Sequence, residues 1–107
     1  MNNVWYFQIE GSGRKGESTA FGYVVNCFVQ ASEKEVALNL VSCSLKEDGL
    51  SIDKVVIEGL FKDFKWSNKK LFKVLGLLAA KASANAGKPF FDSFHVWDVH
   101  GKASIKM

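Results

Sequence analysis

The residues best suited to metal or acid–base chemistry stand near the end of the sequence. His95, Asp98 and His100 bring both histidines of the chain close to one carboxylate. In an extended segment, alternation places Asp98 and His100 on one face and His95 on the other. A zinc site needs three or four converging ligands, and a His–Asp pair needs a nucleophile or a cleft beside it. We therefore expect no metal site. An enzyme that uses Asp98 and His100 is kept as a third hypothesis, after the two binding functions considered below.

A glycine-rich run near the N-terminus has the spacing of a dinucleotide-binding loop. Residues 11–16 read GSGRKG, which matches G-x-G-x-x-G. That fingerprint requires a helix to begin at the loop, so that its backbone N–H groups face the pyrophosphate. Residues 19–31 alternate as a strand instead. We expect a hairpin turn over residues 11–18, with Arg14 and Lys15 available to an anion or an acidic partner.

The rest of the sequence offers no catalytic machinery. Cys27 and Cys43 lie inside apolar periodic segments, which predicts reduced, packed thiols. An activated thiol is instead partly exposed, beside cations or at a helix N-terminus. No serine-hydrolase, zinc-protease or P-loop motif occurs. We expect no catalytic residue, no metal and no cofactor, so the chain is not predicted to be an enzyme.

The N-terminus and the cysteine content predict where the protein acts. Residues 1–4 lack the basic and apolar regions of a secretory signal. The longest strongly apolar run, residues 74–80, is far shorter than the ~20 residues of a membrane span. Two cysteines cannot form a disulfide framework. We expect a soluble cytoplasmic protein that does not engage membranes.

Lysines and aromatic rings are interleaved between residues 61 and 73. Residues 62–73 hold five lysines and one acid, Asp63, in a chain whose net charge is +3. Lysines neutralise phosphate and exposed rings stack on bases, although no RNP sequence is present. Aromatic anchors among charges also suit a protein interface. The residues expected to bind a partner are Lys62, Lys65, Trp66, Lys69, Lys70 and Lys73, with Arg14 and Lys15 as a second contact.

Hydrophobic periodicity predicts the strands that position these residues. A chain of 107 residues, 48% of them hydrophobic, fits one domain over residues 1–107. Alternation with a period of two predicts strands over residues 4–10, 19–31, 54–64 and 91–99, with a short edge piece or tail after residue 101. Val55 and Ile57 share one face of the third strand.

Two helices are predicted between these strands. Ser32 and Glu35 match the S-x-x-E capping box at the start of a first helix, which Gly49 ends. Ser67 or Asn68 caps a second helix. Its apolar stripe is expected to consist of Leu71, Val74, Leu75, Leu78 and Ala82.

The resulting order is β-β-α-β-α-β. Right-handed crossovers place both helices on one face of a single mixed sheet of four to five strands, which makes an α+β two-layer sandwich. Tyr6, Phe28 and Phe64 then lie toward solvent and could bind a partner, unless a curled sheet or the C-terminal tail covers them. Strand order and oligomeric state stay open.

A short α+β chain with an aromatic-rich sheet, no catalytic signature and a patch of one charge resembles the small immunity proteins of bacterial polymorphic and contact-dependent growth inhibition toxins. The likeness covers the layout of the whole chain. It implies a non-catalytic protein that binds a cognate toxin and occludes its active site. Many of these proteins neutralise basic nucleases through acidic surfaces. This sequence has no obvious acidic surface, so the type of toxin stays open. The alternative is a nucleic-acid or anionic-ligand module that uses the patch between Lys62 and Lys73.

Overall fold

The computed structural model describes residues 3–15, 19–65, 69–98 and 104–106, with the side chains of most of them. These residues form six strands, two α-helices and a short 3₁₀ turn. In chain order they are β1 (Val4–Lys15), β2 (Thr19–Gln30), α1 (Lys34–Glu47), β3 (Leu50–Leu60), the 3₁₀ turn (Phe61–Asp63), α2 (Lys69–Ala84), β4 (Phe90–Phe91), β5 (His95–Asp98) and β6 (Ser104–Lys106). The predicted α+β class and the β-β-α-β-α-β order are confirmed, with the last strand divided into short pieces.

The hairpin of β1 and β2 lies at the centre of the sheet. The two strands pair from Val4 opposite Gln30 to Lys15 opposite Thr19. β3 pairs with the free edge of β1, β4 and β5 follow one another along the free edge of β2, and β6 adds to β5. Every pairing among the described strands is antiparallel, so the expectation of a mixed sheet is wrong.

The two helices lie on opposite faces of this sheet. α1 packs on the face that carries Phe7, Ile9, Tyr23, Val25, Cys27 and Val29. α2 packs on the other face, over Tyr6 and Phe28, which are 3% and 0% exposed. The expected two-layer arrangement with both helices on one face is therefore wrong. The surface of Tyr6 and Phe28 that was expected to be open is covered by α2.

The expectation rested on the rule that crossovers between parallel strands are right-handed, and this rule applies to the connection through α1 but not to the one through α2. β2 and β3 both run antiparallel to β1, so they are parallel to each other, and α1 connects them as a crossover. β4 runs antiparallel to β2 and hence to β3. The rule does not constrain a connection between antiparallel strands, so α2 is free to cover the second apolar face.

A bulge in β3 changes which side chains face each helix. Gln8 pairs with Ile57, but its neighbour Ile9 pairs with Val55, so Val56 is skipped. Val55 packs with the α1 core, Ile57 packs with the α2 core, and Val56 is 41% exposed. The prediction that Val55 and Ile57 share a face is wrong because strict alternation does not survive a bulge.

The ends of α1 agree with the sequence only in part. Gly49 follows α1 with a φ of +77°, as the predicted stop requires. At the start, Glu33 is the N-cap and no side chain caps the helix, so the expected capping box does not form. Within the described part of the chain, neither helix has the length and apolar composition that a membrane span requires.

Candidate functional site

The solvent side of α2 carries apolar and basic residues together. Spacings of three and four residues place them on one side of the helix. We call this surface the outer face of α2; its residues are Lys70, Lys73, Val74, Leu77 and Lys81. Val74 is 56% exposed and Leu77 is 63% exposed, the highest values among the large apolar side chains that the structure describes. The three lysines are exposed as well, so the face is an apolar pair among cations.

α2 is apolar on its inner side too. That side packs on the sheet through Leu75, Ala79 and Ala82. The predicted stripe placed Val74 with these residues, and this is wrong. Val74 precedes Leu75 by one residue, which turns its direction by about 100° around the helix axis. Attachment to the sheet uses only one of the two apolar sides of α2.

A shallow groove of about 440 Å³ runs beside the outer face, between α2 and the connection from β4 to β5. The helix contributes Val74, Leu77, Leu78 and Lys81, the end of β4 contributes Phe91, and the connection contributes Asp92 and Ser93. Hydrogen bonds fix the wall of the groove: the Asp92 carboxylate accepts from the backbone N–H of Asn26 at 2.9 Å and from its Nδ2 at 2.8 Å. The Asp92 N–H donates to the Asn26 carbonyl oxygen at 3.0 Å. The wall is therefore tied to β2.

The same asparagine continues into a polar network beneath α2. The Tyr6 hydroxyl donates to Asn26 Oδ1 at 2.6 Å. Burial raises the pKa of Tyr6 to about 12, and the charges of Asp92 and Cys27 add to the effect. Tyr6 therefore stays protonated at neutral pH, and both oxygens of Asp92 are engaged by Asn26. This network holds the sheet and groove together, and sequence reasoning missed it because 66 residues separate Asn26 from Asp92.

Aromatic stacking joins two segments that carry predicted lysines. The rings of Phe61 and Phe72 stack with their centroids 6.1 Å apart, which joins the 3₁₀ turn to the start of α2. The contact makes the two segments neighbours, and Lys62, Lys65, Lys70 and Lys73 are exposed on them. Phe72 lies about 160° around the helix axis from Lys70, so the contact does not place Lys62 and Lys65 on the outer face of α2. Residues 69–84 contain four lysines and no acid, so α2 itself has no internal charge compensation.

The other predicted contact residues stand apart or lie outside the described part. Trp66 falls outside the described residues, as does the side chain of Lys69. Arg14 and Lys15, whose side chains are likewise not described, end β1. Trp5 pairs with Leu60 next to the 3₁₀ turn, and Arg14 lies nine positions further along β1, roughly 30 Å away. The structure thus does not bring the second contact to the 3₁₀ turn.

Residues 11–15 of the glycine-rich run belong to a strand, and Gly16 lies outside the described residues. Gly11 and Gly13 lie within β1, which continues to Lys15, so the predicted turn over residues 11–18 begins too early. A Cβ at Gly11 would overlap the carbonyl oxygen of Ser51 and the hydroxyl of Tyr23. Close packing between neighbouring strands therefore explains this glycine, and no helix begins after the run.

The cysteines and histidines form no reactive group that the structure describes. Cys27 is fully buried, and burial raises the pKa of its thiol well above the usual range. Cys43 is exposed, so the expectation of a packed thiol is wrong there. His95 is exposed on β5, while His100 and the side chain of Asp98 lie outside the described residues. Among the residues described, no three His, Cys, Asp or Glu side chains are grouped for a metal ion.

A second cavity lies on the α1 side of the sheet. It measures about 230 Å³ and is lined by Phe21, Asp48, Leu50, Phe94 and Val96. Its walls are almost entirely apolar, with one carboxylate at the end of α1. A specific small-molecule site usually combines apolar walls with several converging polar groups. The outer face of α2, with its charges and its groove, is the stronger candidate for a binding surface.

Comparison with known proteins adds no family to these observations. No family model, no curated protein and no solved structure matches the chain. Function therefore has to be argued from the surface itself.

Proposed function

We propose that this chain is a non-catalytic protein-binding domain whose contact surface is the outer face of α2. The exposure of Val74 and Leu77 among lysines carries the proposal. Burying a Val or Leu side chain fully is worth about 1.5–3 kcal/mol. Val74 and Leu77 are 56% and 63% exposed, so a partner that covers both side chains gains the corresponding part of this energy.

The arrangement has the anatomy of a protein interface. Energetically important contacts cluster in an apolar centre that excludes water, while charges lie around it. Here the apolar pair forms the centre and the lysines form the rim. Rim charges of one sign accelerate the encounter with an oppositely charged surface and reject partners of the same charge. The partner surface is therefore acidic around an apolar centre.

In its specific form, the proposal is an immunity-type protein that acts in the cytoplasm. It binds a cognate toxin one to one and occludes the active site of that toxin. The layout of the chain and the exposed apolar pair of α2 among lysines support this form. A basic surface suits a toxin whose active site has an acidic rim.

A nucleic-acid or anionic-ligand module is the second candidate, favoured by the five lysines of residues 62–73. Base stacking needs free ring faces. Phe61 and Phe72 stack on one another, which engages one face of each ring. The two most exposed large apolar side chains described, Val74 and Leu77, have no ring on which a base could stack, and they favour a protein partner.

The test is capture of binding partners from nuclease-treated cell extract at ~0.15 M and ~0.5 M salt. A double variant, Val74→Glu with Leu77→Glu, is compared with the wild type. The control, Val36→Glu with Val56→Glu, makes the same charge change at apolar side chains that are 43% and 41% exposed. We expect a stoichiometric protein that survives high salt, is lost with the α2 variant and is kept with the control. Nucleic acid that leaves at high salt would support the second candidate and contradict the first.

A further inference from the structure

We infer that the partner presents an acidic amphipathic α-helix, which lies along the outer face of α2 and in the adjoining groove. The inference rests on the proposed function and names the element that the surface receives. Three features of the surface carry it: the spacing of its residues, the fixed wall of its groove and the sign of its charge.

The spacing fits a second helix. Residues 70, 74, 77 and 81 repeat at four, three and four, the period at which two helices pack side by side. At about 1.5 Å per residue these positions span roughly 16 Å, or three helical turns. A partner helix of the same length meets Val74 and Leu77 at its middle and the lysines at both ends. An extended strand, with its period of two, does not match this row.

The groove supplies a second wall for that helix. Asp92 and Ser93 lie opposite the outer face, and the hydrogen bonds between Asp92 and Asn26 hold this wall in place. The Phe91 side chain packs with the α1 core, so the apolar side chains of the groove are those of α2. A preformed groove with apolar side chains and a fixed wall receives the apolar ridge of an amphipathic helix. The Asp92 carboxylate keeps its charge, although both of its oxygens accept hydrogen bonds from Asn26. Three lysines of the outer face stand against this one carboxylate, so the net charge that a ligand meets there is positive.

The charge of α2 selects an acidic helix and disfavours a second copy of this chain. α2 offers four lysines and no acid. In a two-fold symmetric pair of antiparallel α2 helices, Val74 would face Leu77 and Lys70 would face Lys81. Each end of such an interface would hold two cations in contact, which is unfavourable. A helix with Asp or Glu on both sides of its apolar ridge meets the same lysines with opposite charge.

The inference is tested with a synthetic peptide of about three heptads that has Leu at a and d and Glu at e and g. Two peptides serve as comparisons: one with Lys in place of Glu, and one with the acidic sequence scrambled. Binding to the folded protein is measured by fluorescence anisotropy, and circular dichroism verifies that each variant is folded. We expect the acidic peptide to bind and the other two to bind at least about tenfold more weakly.

Variants locate the binding. Leu77→Glu is expected to lower the affinity for the acidic peptide at least about tenfold, because it places an acid at the centre of the contact. The double variant Lys73→Glu with Lys81→Glu is expected to lower the affinity for the acidic peptide and to raise the affinity for the Lys peptide. The control pair, Lys46→Glu with Lys54→Glu, makes the same charge change on α1 and β3 and leaves both affinities unchanged. Equal binding of the scrambled peptide, or no effect of Leu77→Glu, would overturn the inference.

Two further outcomes separate this inference from the proposed function. If extract capture depends on Val74 and Leu77 but the acidic peptide does not bind, the protein partner stands and the helical element is wrong. If capture is unchanged in the Val74→Glu, Leu77→Glu variant, the proposed function itself fails. Vesicles of phosphatidylserine and phosphatidylcholine are the last comparison, since stronger binding to them than to the peptide would assign the face to a lipid surface and overturn the inference.

Discussion

The two helices both cover a face of the sheet, but they present different surfaces to solvent. Each packs one apolar side on the sheet. The solvent side of α1 includes two lysines and two glutamates, and its Lys34 pairs with Glu58 of β3 at 3.0 Å. α2 has four lysines, no acid and the two most exposed large apolar side chains described, Val74 and Leu77. A helix that only covers a sheet needs no such face, so the difference points to a second role for α2.

The largest effect on stability is expected when a buried leucine of either helix is replaced, and it tests whether both helices are packed on the sheet. Leu45 of α1 and Leu75 of α2 are each 1% exposed. Replacing a buried leucine with alanine removes apolar contact and leaves a cavity, so Leu45→Ala and Leu75→Ala should each cost about 2–5 kcal/mol. Urea unfolding of the two variants measures this. A cost below about 1 kcal/mol for Leu75→Ala alone would mean that α2 is not docked as described.

A smaller effect is expected for the wall of the groove. Asp92→Ala leaves the backbone N–H and the Nδ2 of Asn26 without their acceptor, which should lower the free energy of unfolding by about 1–3 kcal/mol. The control is Ser93→Ala, one residue further along the same wall, which removes an exposed side chain and should change stability little. Denaturant unfolding of both variants checks the comparison, and equal stabilities would contradict the role given to Asp92.

One buried tyrosine on each face of the sheet should make the stability of the fold depend on alkaline pH. Tyr6 lies under α2 and Tyr23 under α1, and burial raises the pKa of each from 10.0 to about 12. The folded state therefore holds these protons more tightly than the unfolded chain does. Stability from this source is complete below pH 10 and falls as the pH rises toward 12. Phenolate absorbance should report the late ionisation, and a normal titration near pH 10 in the folded protein would contradict it.

The smallest effect on stability is expected at the outer face of α2. Val74→Ala and Leu77→Ala remove exposed side chains, so each should change the free energy of unfolding by no more than about 0.5 kcal/mol. Partner capture should nevertheless weaken. Val36→Ala on α1 is the matched control and should change neither property. A large loss of stability in Leu77→Ala would mean that Leu77 serves the fold and not a partner.

Local patterns predicted the elements of this fold, and contacts between distant residues decided the rest. Alternation and helical spacing predicted the approximate places of the strands and both helices. They did not predict the strand ends, since β1 continues to Lys15 and β3 ends at Leu60, before the 3₁₀ turn. They could not show that a bulge turns Ile57 to the other face, or that α2 crosses behind the sheet. Val74 was misplaced because a helix with two apolar sides has no unique inner stripe in its sequence.

The run of lysines in the sequence predicted Lys70 and Lys73, but Lys81 lies beyond that run and was not predicted. The groove depends on the contact between Asn26 and Asp92.

Chemical labelling of lysines tests the central claim most directly, because both regions carry them. The protein is acetylated alone and in the captured complex, and mass spectrometry compares the extent of labelling at each lysine. If the outer face of α2 is the binding surface, labelling of Lys73 and Lys81 falls in the complex, while labelling of Lys46 on α1 and Lys54 on β3 does not change. Protection of Lys46 and Lys54 with full labelling of Lys73 and Lys81 would contradict the account.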